Sequence, residues 1–220
     1  MRKPGLTLFT LLDSKATNEK LNSFIAKTGK LYFTCIFLFF GTLNLSAQGE
    51  FITKWDLPLS GYGAIEFFCE SATGGVNYSW ETIPAGTTGS GTLAAGIGLV
   101  NIPGIPPNAV IRLNLEPVNL KIFSMLGGNS IALVDVEQWG TANWSTFEYA
   151  FIGCENLNIS ASDTPDLSNV SNLESMFSFC LTLNGPSNIG SWDVTNVTDI
   201  NSMFSNAYLF NQPVNNWNTS

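Results

Sequence analysis

Residues around three phenylalanines recur at a fixed spacing, and this repeat constrains the fold more than any other feature of the chain. Phe151, Phe177 and Phe204 are 26 and 27 residues apart, and the residues on both sides of them match in type from one segment to the next. Self-similarity with a period of 20–50 residues is typical of repeat architectures. The C-terminal third of the chain is therefore predicted to consist of stacked structural repeats.

The matched columns predict which side chains form the core of the repeats. A single repeat has too little apolar surface for a core of its own, so its apolar residues must face those of its neighbours. The predicted repeat core comprises Phe151, Phe177, Phe204, Met176, Met203, Val170, Val197, Leu173, Ile200, Leu157, Leu183 and Phe210. A further column, seven residues after each anchor phenylalanine, consists of Asn158, Asn184 and Asn211. Asparagine favours turns, so we expect these residues to turn the chain between the faces of the repeat.

The spacing within one repeat predicts a short helix and a short strand. Apolar residues at i, i+3 and i+4 indicate a helical turn over 173–177, and 189–194 is interpreted as a short strand and corner. One strand and one helical turn per repeat is typical of a leucine-rich-repeat-like solenoid. We expect this solenoid to occupy residues 136–220 as an incomplete array.

Between residues 49 and 135 the pattern changes to short apolar segments separated by glycine and proline. The predicted strands are 64–69, 76–81, 99–102, 109–115, 118–124 and 131–136. Several short strands with no 3.6-residue period favour a small β-sandwich domain. The segment from Asn77 to Trp80 resembles a strand of immunoglobulin-like domains, and Trp80 is interpreted as a core residue. The fold class predicted for the whole chain is thus β-rich, with an immunoglobulin-like sandwich before the solenoid.

The N-terminal 48 residues have the pattern of an export signal. Lys27 and Lys30 precede an apolar run over 31–45, which ends in Ser46-Ala47-Gln48. A membrane anchor is the alternative, but fifteen residues interrupted by polar ones fall short of the ~20 that span a bilayer. The Ala-Gln ending resembles signal peptides of Bacteroidetes. We expect cleavage after Gln48 and a secreted or cell-surface protein, at the outer membrane or outside the cell.

Charge and composition exclude several classes of function. Residues 49–220 contain 3 cationic and 15 acidic residues, so this part has a net charge of −12 and is expected to repel nucleic acid. The chain has no histidine, which excludes Ser-His-Asp and Cys-His nucleophiles and histidine-containing zinc sites. No enzyme activity and no cofactor are predicted. A calcium site built from Asp193 and Asp199 remains an alternative.

Two cysteines occupy one column of the repeat and allow two interpretations. Cys154 and Cys180 match Ala207 in the third repeat, which indicates a column reserved for small residues. The alternative is a disulfide between adjacent repeats, which an oxidising compartment would permit. Cys69 would then have no partner.

The third repeat also resembles a known family. Trp192-Asp-Val-Thr-Asn-Val-Thr-Asp-Ile-Asn-Ser-Met-Phe204 and Phe210-Asn-Gln-Pro213 are similar to the repeats of the BspA-like leucine-rich-repeat surface proteins of Bacteroidetes. The resemblance covers roughly residues 130–220. It implies a secreted or cell-surface protein, some relatives of which take part in adhesion, and it implies that the chain is the N-terminal part of a longer one.

We therefore expect a binding or adhesion protein whose solenoid contacts an extracellular protein or glycan. A membrane would be involved only through export or sorting. A structural spacer and a carbohydrate-active enzyme are the alternatives. Binding by the purified protein would favour the first, and turnover of a polysaccharide the last.

Overall fold

Alternating apolar and polar residues form eight strands before residue 140, in a computed structural model that describes residues 49–218. The strands and a short α-helix follow in the order β1 (Phe51–Asp56), α1 (Leu57–Ser60), β2 (Glu66–Ser71), β3 (Val76–Ile83), β4 (Thr88–Leu93), β5 (Gly96–Asn101), β6 (Val110–Leu115), β7 (Leu120–Ser124) and β8 (Leu133–Gln138). The two-residue strand β9 (Asn158–Ile159) comes later, and single 3-10 turns cover Ser130–Ala132 and Ile189–Ser191.

The strands form two sheets whose apolar faces are in contact. One sheet has six strands in the order β4-β3-β6-β1-β8-β9, and the other has three in the order β5-β2-β7. The ring centroids of Trp55 on β1 and Phe67 on β2 are 6.2 Å apart, and those of Phe51 on β1 and Phe123 on β7 are 5.1 Å apart. The prediction of a β-rich fold is confirmed.

The immunoglobulin-like part of that prediction is not confirmed. In an immunoglobulin domain the first two strands share a sheet. Here β1 pairs with β6 and β8, whereas β2 pairs with β5 and β7. The order follows from the long connection after β1, which places the second strand in the opposite sheet.

Three strands, β1, β4 and β9, were not predicted, and the omission of β4 has an identifiable cause. The sequence Thr88–Leu93 carries little apolar alternation, yet it pairs with β3 along its whole length. The rings of Trp80 and Tyr78 on β3 lie over Gly89 and Gly91 on β4. A Cβ atom at either glycine would lie 2.5 Å from a ring or hydroxyl atom. The two aromatic side chains of β3 therefore fill the space that side chains of β4 would otherwise occupy. Trp80 is buried, as predicted.

From residue 139 onward the chain consists mainly of consecutive turns. The N–H of Met176 donates to the carbonyl of Leu173, and the N–H of Cys180 donates to that of Phe177. Ser175 and Phe179, third in these two turns, have φ angles of +53° and +60°, as a type II turn requires. The predicted helical turn over 173–177 is therefore wrong, because a left-handed residue interrupts it. The predicted strand over 189–194 is also wrong, since it begins with the 3-10 turn.

Neither a barrel nor a strand-lined solenoid is found in the described residues. The described residues belong to one compact unit, and the division into domains at 135/136 stays a prediction. The predicted signal peptide and its cleavage site lie outside the described residues. Within 49–218 no helix has the length and apolar character needed to cross a membrane.

Candidate functional site

The three anchor phenylalanines form one column of stacked rings. The ring centroids of Phe151 and Phe177 are 5.6 Å apart with an interplanar angle of 11°, and those of Phe177 and Phe204 are 5.8 Å apart with an angle of 19°. Phe123 of β7 precedes the column, 5.9 Å from Phe151. The repeats centred on Phe151, Phe177 and Phe204, here called the first, second and third repeat, therefore stack on the core of the sheets.

Backbone hydrogen bonds join neighbouring repeats at every second residue. The N–H groups of Phe147, Tyr149, Phe151 and Gly153 donate to the carbonyls of Asn172, Glu174, Met176 and Ser178, at 2.8–3.1 Å. In the same way, Leu173, Ser175, Phe177 and Phe179 donate to Asp199, Asn201, Met203 and Ser205, at 2.8–2.9 Å. All eight bonds run from the N–H of one repeat to the carbonyl of the next, whereas the N–H groups of Thr182, Thr198 and Asn211 donate to carbonyls of the preceding repeat.

The structure buries most of the predicted repeat core, but not all of it. Fully buried members are Phe151, Phe177, Met176, Met203, Val170, Leu173, Leu157 and Leu183. Val197, Phe204 and Phe210 are only partly buried, and Ile200 is 43% exposed. These four residues belong to the third repeat, which within residues 49–218 has a complete neighbouring repeat on one side only. Val197, Phe204 and Phe210 still pack against the core, whereas Ile200 lies at the surface.

The predicted asparagine column lies at the surface, and its last two members join neighbouring repeats. Asn158, Asn184 and Asn211 are exposed, and the N–H of Asn211 donates to the carbonyl of Asn184 at 3.3 Å. A second column, formed by Asn143, Asn169 and Asn196, makes side-chain contacts between repeats. The Asn169 amide donates to Asn143 Oδ1 at 2.9 Å, and the Asn196 amide to the Ser168 carbonyl at 2.9 Å. The 26- and 27-residue spacing of this column was visible in the sequence.

Both repeat cysteines are free, buried thiols, as is Cys69. The Cys180 thiol donates to the Phe151 carbonyl at 3.1 Å. Burial raises the pKa of Cys180 to about 12 and that of Cys154 well above its ordinary value. The small-residue column matches this arrangement, and no disulfide joins the two residues.

The acidic residues of the repeats form turns. Asp193 Oδ1 accepts hydrogen bonds from the N–H and hydroxyl of Thr195, and Asp199 Oδ1 accepts one from the N–H of Asn201. Asp163 accepts the N–H groups of Trp139 and Gly140. Within residues 49–218 no three acidic or cysteine side chains are grouped so that they could hold a metal ion.

A polar cleft of about 370 Å³ lies on the outer face of the six-stranded sheet. Since side chains alternate along a strand, Asn77 and Ser79 point outward where Tyr78 and Trp80 enter the core. The cleft is lined by Glu50, Asn77, Tyr78, Ser79, Ser90, Gly91, Thr92, Asn114 and Glu116. Its volume falls within the ~300–1,000 Å³ usual for small-molecule sites.

Hydrogen bonds fix the orientation of the cleft's side chains. Thr92 Oγ1 donates to Asn77 Oδ1 at 2.7 Å, and Asn77 Nδ2 donates to Glu116 Oε2 at 2.9 Å. Asn114 Nδ2 donates to Ser79 Oγ at 3.3 Å. Asn114 Oδ1 is buried and has no hydrogen-bond donor. An unpaired buried acceptor of this kind costs roughly 1–3 kcal/mol.

The electrostatics of the cleft favour a ligand that donates hydrogen bonds. Glu50 and Glu116 are its charged residues, and none of the nine lining side chains is cationic. Partial burial, together with the charge of Glu116, raises the pKa of the Glu50 carboxyl. Carboxylate and amide oxygens thus face a space that contains no countercharge. Sequence reasoning missed this site because its residues come from three strands and two flanking positions, which only the register brings together.

A comparison with protein families gives a match in the C-terminal part of the chain. A family model described as "Mycoplasma protein of unknown function, DUF285" matches residues 121–220, from within β7 to the end of the chain. No leucine-rich-repeat family matches, so the expected identification as a BspA-like leucine-rich-repeat protein is wrong. No curated protein and no solved structure matches the chain. The C-terminal part of the chain is therefore similar to a family whose description assigns no function.

Proposed function

We propose that the protein is an exported binding protein that recognises a hydroxyl-rich ligand, a glycan, in the polar cleft of its six-stranded sheet. The observation that carries the proposal is the set of amide, hydroxyl and carboxylate groups of Asn77, Thr92 and Glu116, which hydrogen bonds already orient in the cleft. A sugar hydroxyl can donate to the Glu116 carboxylate, and it can accept from the Ser79 hydroxyl.

The composition of the cleft supports a glycan over other ligands. A phosphate or nucleotide would meet two carboxyl groups and no cation, which is unfavourable. A mainly apolar ligand would leave the amide and hydroxyl groups of Asn77, Ser79 and Thr92 without partners. A polyhydroxylated ligand carries no negative charge and supplies partners for these amide and hydroxyl groups, since each of its hydroxyls donates and accepts.

The repeats complete the proposal as a short solenoid of turns packed on the sheets. The ring column and the backbone ladder support this architecture, in which each repeat packs mainly on its neighbours. Its role would be to hold the cleft at a defined distance from whatever lies beyond the third repeat. Export is supported by the basic and apolar pattern over 27–48.

A glycan array followed by calorimetry tests the proposal. We expect the purified protein to bind at least one glycan saturably, and Asn114→Ala to weaken that binding at least ~10-fold, equivalent to about 1.4 kcal/mol. The matched control is Lys54→Ala. Lys54 lies on β1 of the same sheet, outside the cleft, and its replacement should leave the affinity unchanged.

Three outcomes would contradict the proposal. No binding to any glycan would remove its basis. Equal affinity in the wild type and Asn114→Ala would place the site elsewhere. Hydrolysis of a bound glycan would assign an enzyme instead, with Glu50 and Glu116 as the pair of carboxyl groups that such chemistry requires.

A further inference from the structure

The strand β5 forms an open edge of the three-stranded sheet. It pairs with β2 on one side, and within the described part of the chain no strand pairs with its other side. The Ile102 N–H, just after β5, donates to the Ile65 carbonyl at 3.0 Å. Because hydrogen-bonded residues alternate along an antiparallel strand, every second residue before Ile102 also turns its backbone groups toward β2. The N–H and carbonyl groups of Ile97, Leu99 and Asn101 therefore face the open edge.

Two of these three edge residues also have exposed apolar side chains. Ile97 is 64% exposed and Leu99 is 56% exposed, the latter opposite the partly buried Phe68 of β2. Edge strands of soluble proteins are usually protected by lysine, proline, a bulge or a short length. The strand β5 has six residues, none of them charged or proline, and its pairing with β2 has no register shift. Its edge is therefore suited to pairing with a further strand.

The other strands at the sides of the two sheets are less suited to this role. The strand β4 exposes hydroxyl groups, on Thr88, Ser90 and Thr92, and β9 consists of two residues only. The strand β7 is covered by the first repeat, since the Ser145 N–H donates to the Lys121 carbonyl at 2.9 Å. Among residues 49–218, β5 is thus the edge that combines length, free backbone groups and apolar side chains.

We propose that β5 pairs antiparallel with β5 of a second copy of the chain, across a two-fold axis at Leu99. In this register Leu99 lies opposite Leu99 of the second copy, and Ile97 lies opposite Asn101. Every N–H and carbonyl group that faces the open edge then has a partner, because these three residues form the hydrogen-bonded pairs of the new ladder. The two three-stranded sheets become one continuous sheet.

The inner face of β5 is complementary to itself in the same register. Gly98 lies opposite Val100 of the second copy, in a pair without hydrogen bonds whose Cα atoms are about 4.5 Å apart. A Cβ atom at Gly98 would have no atom within 4 Å, whereas Val100 packs against the core. The space at Gly98 therefore admits the valine of the second copy. Each strand supplies both the space and the side chain, as a two-fold interface requires.

The acidic charge of the chain does not oppose this pairing. The nearest carboxyl groups are those of Glu66 and Glu70 on β2, one strand away from the edge. Their counterparts in the second copy lie three strand spacings away, at about 14 Å. This distance exceeds the Debye length of about 8 Å at physiological salt. The proposal does not depend on the glycan site, which lies on the other sheet.

Two other partners are less favourable. The strand β4 of a second copy would place hydroxyl side chains beside Ile97 and Leu99, and it would leave open edges at which association continues. An extended segment of another protein could use the same backbone groups. It has no need to fill the space at Gly98, whereas β5 of a second copy fills it from the sequence itself.

Sedimentation equilibrium of the purified protein tests the proposal. The interface consists of one strand from each copy, so we expect a dimer with a Kd in the micromolar range. Leu99→Lys should weaken association at least ~10-fold, because it places like charges directly opposite each other at the axis. The matched control is Thr88→Lys on the exposed edge of β4, which should leave the Kd unchanged. Because both side chains are exposed, both variants should keep the urea midpoint of the wild type.

A cysteine pair tests the register. At Leu99 the two Cα atoms would be about 5.5 Å apart, which permits a disulfide, whereas at Ile97 they would be about 14 Å apart. Mild oxidation should therefore link the two copies in Leu99→Cys and leave Ile97→Cys unlinked. Random collision would favour Ile97→Cys, since Ile97 is the more exposed of the two side chains. The three native thiols in the described residues are buried.

Three results would overturn the proposal. One is a protein that stays monomeric up to about 1 mM, since β5 would then have no affinity for itself. Another is equal cross-linking at both positions, which would exclude the register. The third is association that continues beyond the dimer or that Thr88→Lys abolishes, because the partner of β5 would then be β4.

Discussion

The second and third repeats have matching sequences but differ in burial. Phe177 and Leu173 are fully buried, while their counterparts Phe204 and Ile200 are partly exposed. Within residues 49–218 the second repeat has a neighbouring repeat on each side, whereas the third has one on a single side. A repeat of this type is therefore stabilised by its neighbours more than by its own residues.

The largest difference is expected from truncation of the anchor rings. Phe177→Ala should lose about 3–5 kcal/mol of unfolding free energy, because it removes a buried ring and leaves a cavity. Phe204→Ala should lose about 1–2 kcal/mol, since its ring is partly hydrated in the native state. Urea denaturation measures both changes.

The conservative pair Phe177→Leu and Phe204→Leu serves as a control if the alanine variant of Phe177 does not fold. Phe177→Leu should again lose more unfolding free energy than Phe204→Leu, and both losses should be smaller than those of the alanine variants. Equal losses at the two positions, in either pair, would contradict the comparison, because they would mean that burial in the stack does not set the contribution of the ring.

A smaller effect, a gain in stability, is expected when glycine replaces a residue that has a left-handed backbone conformation. Phe179 and Asn206 occupy the same column with φ of +60° and +58°, where the first repeat has Gly153. Phe179→Gly should stabilise the protein by about 1 kcal/mol, because an L side chain other than asparagine is strained there and the ring is half exposed. Asn206→Gly should change stability by a few tenths, since asparagine tolerates this conformation. A loss of stability in Phe179→Gly, measured by thermal unfolding, would mean that the ring makes contacts that outweigh the strain.

The smallest expected effect is on the pH dependence of stability, and it should be similar in the second and third repeats. Hydrogen bonds from the N–H and hydroxyl of Ser168 lower the pKa of Asp166, and those from the hydroxyl and N–H of Thr195 lower the pKa of Asp193. Since the folded pKa lies below the ordinary value of 3.8, the stabilisation is present above that pH and is lost as the pH falls through the folded pKa.

Urea midpoints between pH 2 and 6 measure this effect. Asp166→Ala and Asp193→Ala should each flatten the acid limb of the curve by a similar small amount, and neither should alter its shape above pH 5. A much larger effect in one repeat would show that these turns depend on stacking, which their exposure argues against.

The sequence predicted the repeats because side-chain identity alone defines their columns. Phe151, Phe177 and Phe204 stack as the spacing indicated, and the two sheets follow from alternation such as that of Val110–Leu115. The predicted helical turn failed at Ser175 and Phe179, where residues that rarely adopt a left-handed conformation are held in it by the ladder. Local propensity contains no information on a hydrogen bond to a residue 26 positions away.

The cleft was beyond sequence reasoning for a related reason. Asn77, Thr92 and Asn114 meet only because β3 pairs with both β4 and β6 in a particular register. The strand β4 itself was hidden, since Gly89 and Gly91 lack the side chains that identify a strand. In both cases the missing information is long-range pairing.

The most direct test of the central claim is amide hydrogen exchange of the protein itself, residue by residue. The stacked ladder predicts that Ser175, Phe177 and Phe179 exchange slowly, because their N–H groups bond to the third repeat. It predicts that Ser202, Phe204 and Asn206, at the matching positions, exchange at least tenfold faster. Equal exchange rates for the two sets of amides would contradict the account. The amides of the second repeat would then be protected by something other than their hydrogen bonds to the third repeat.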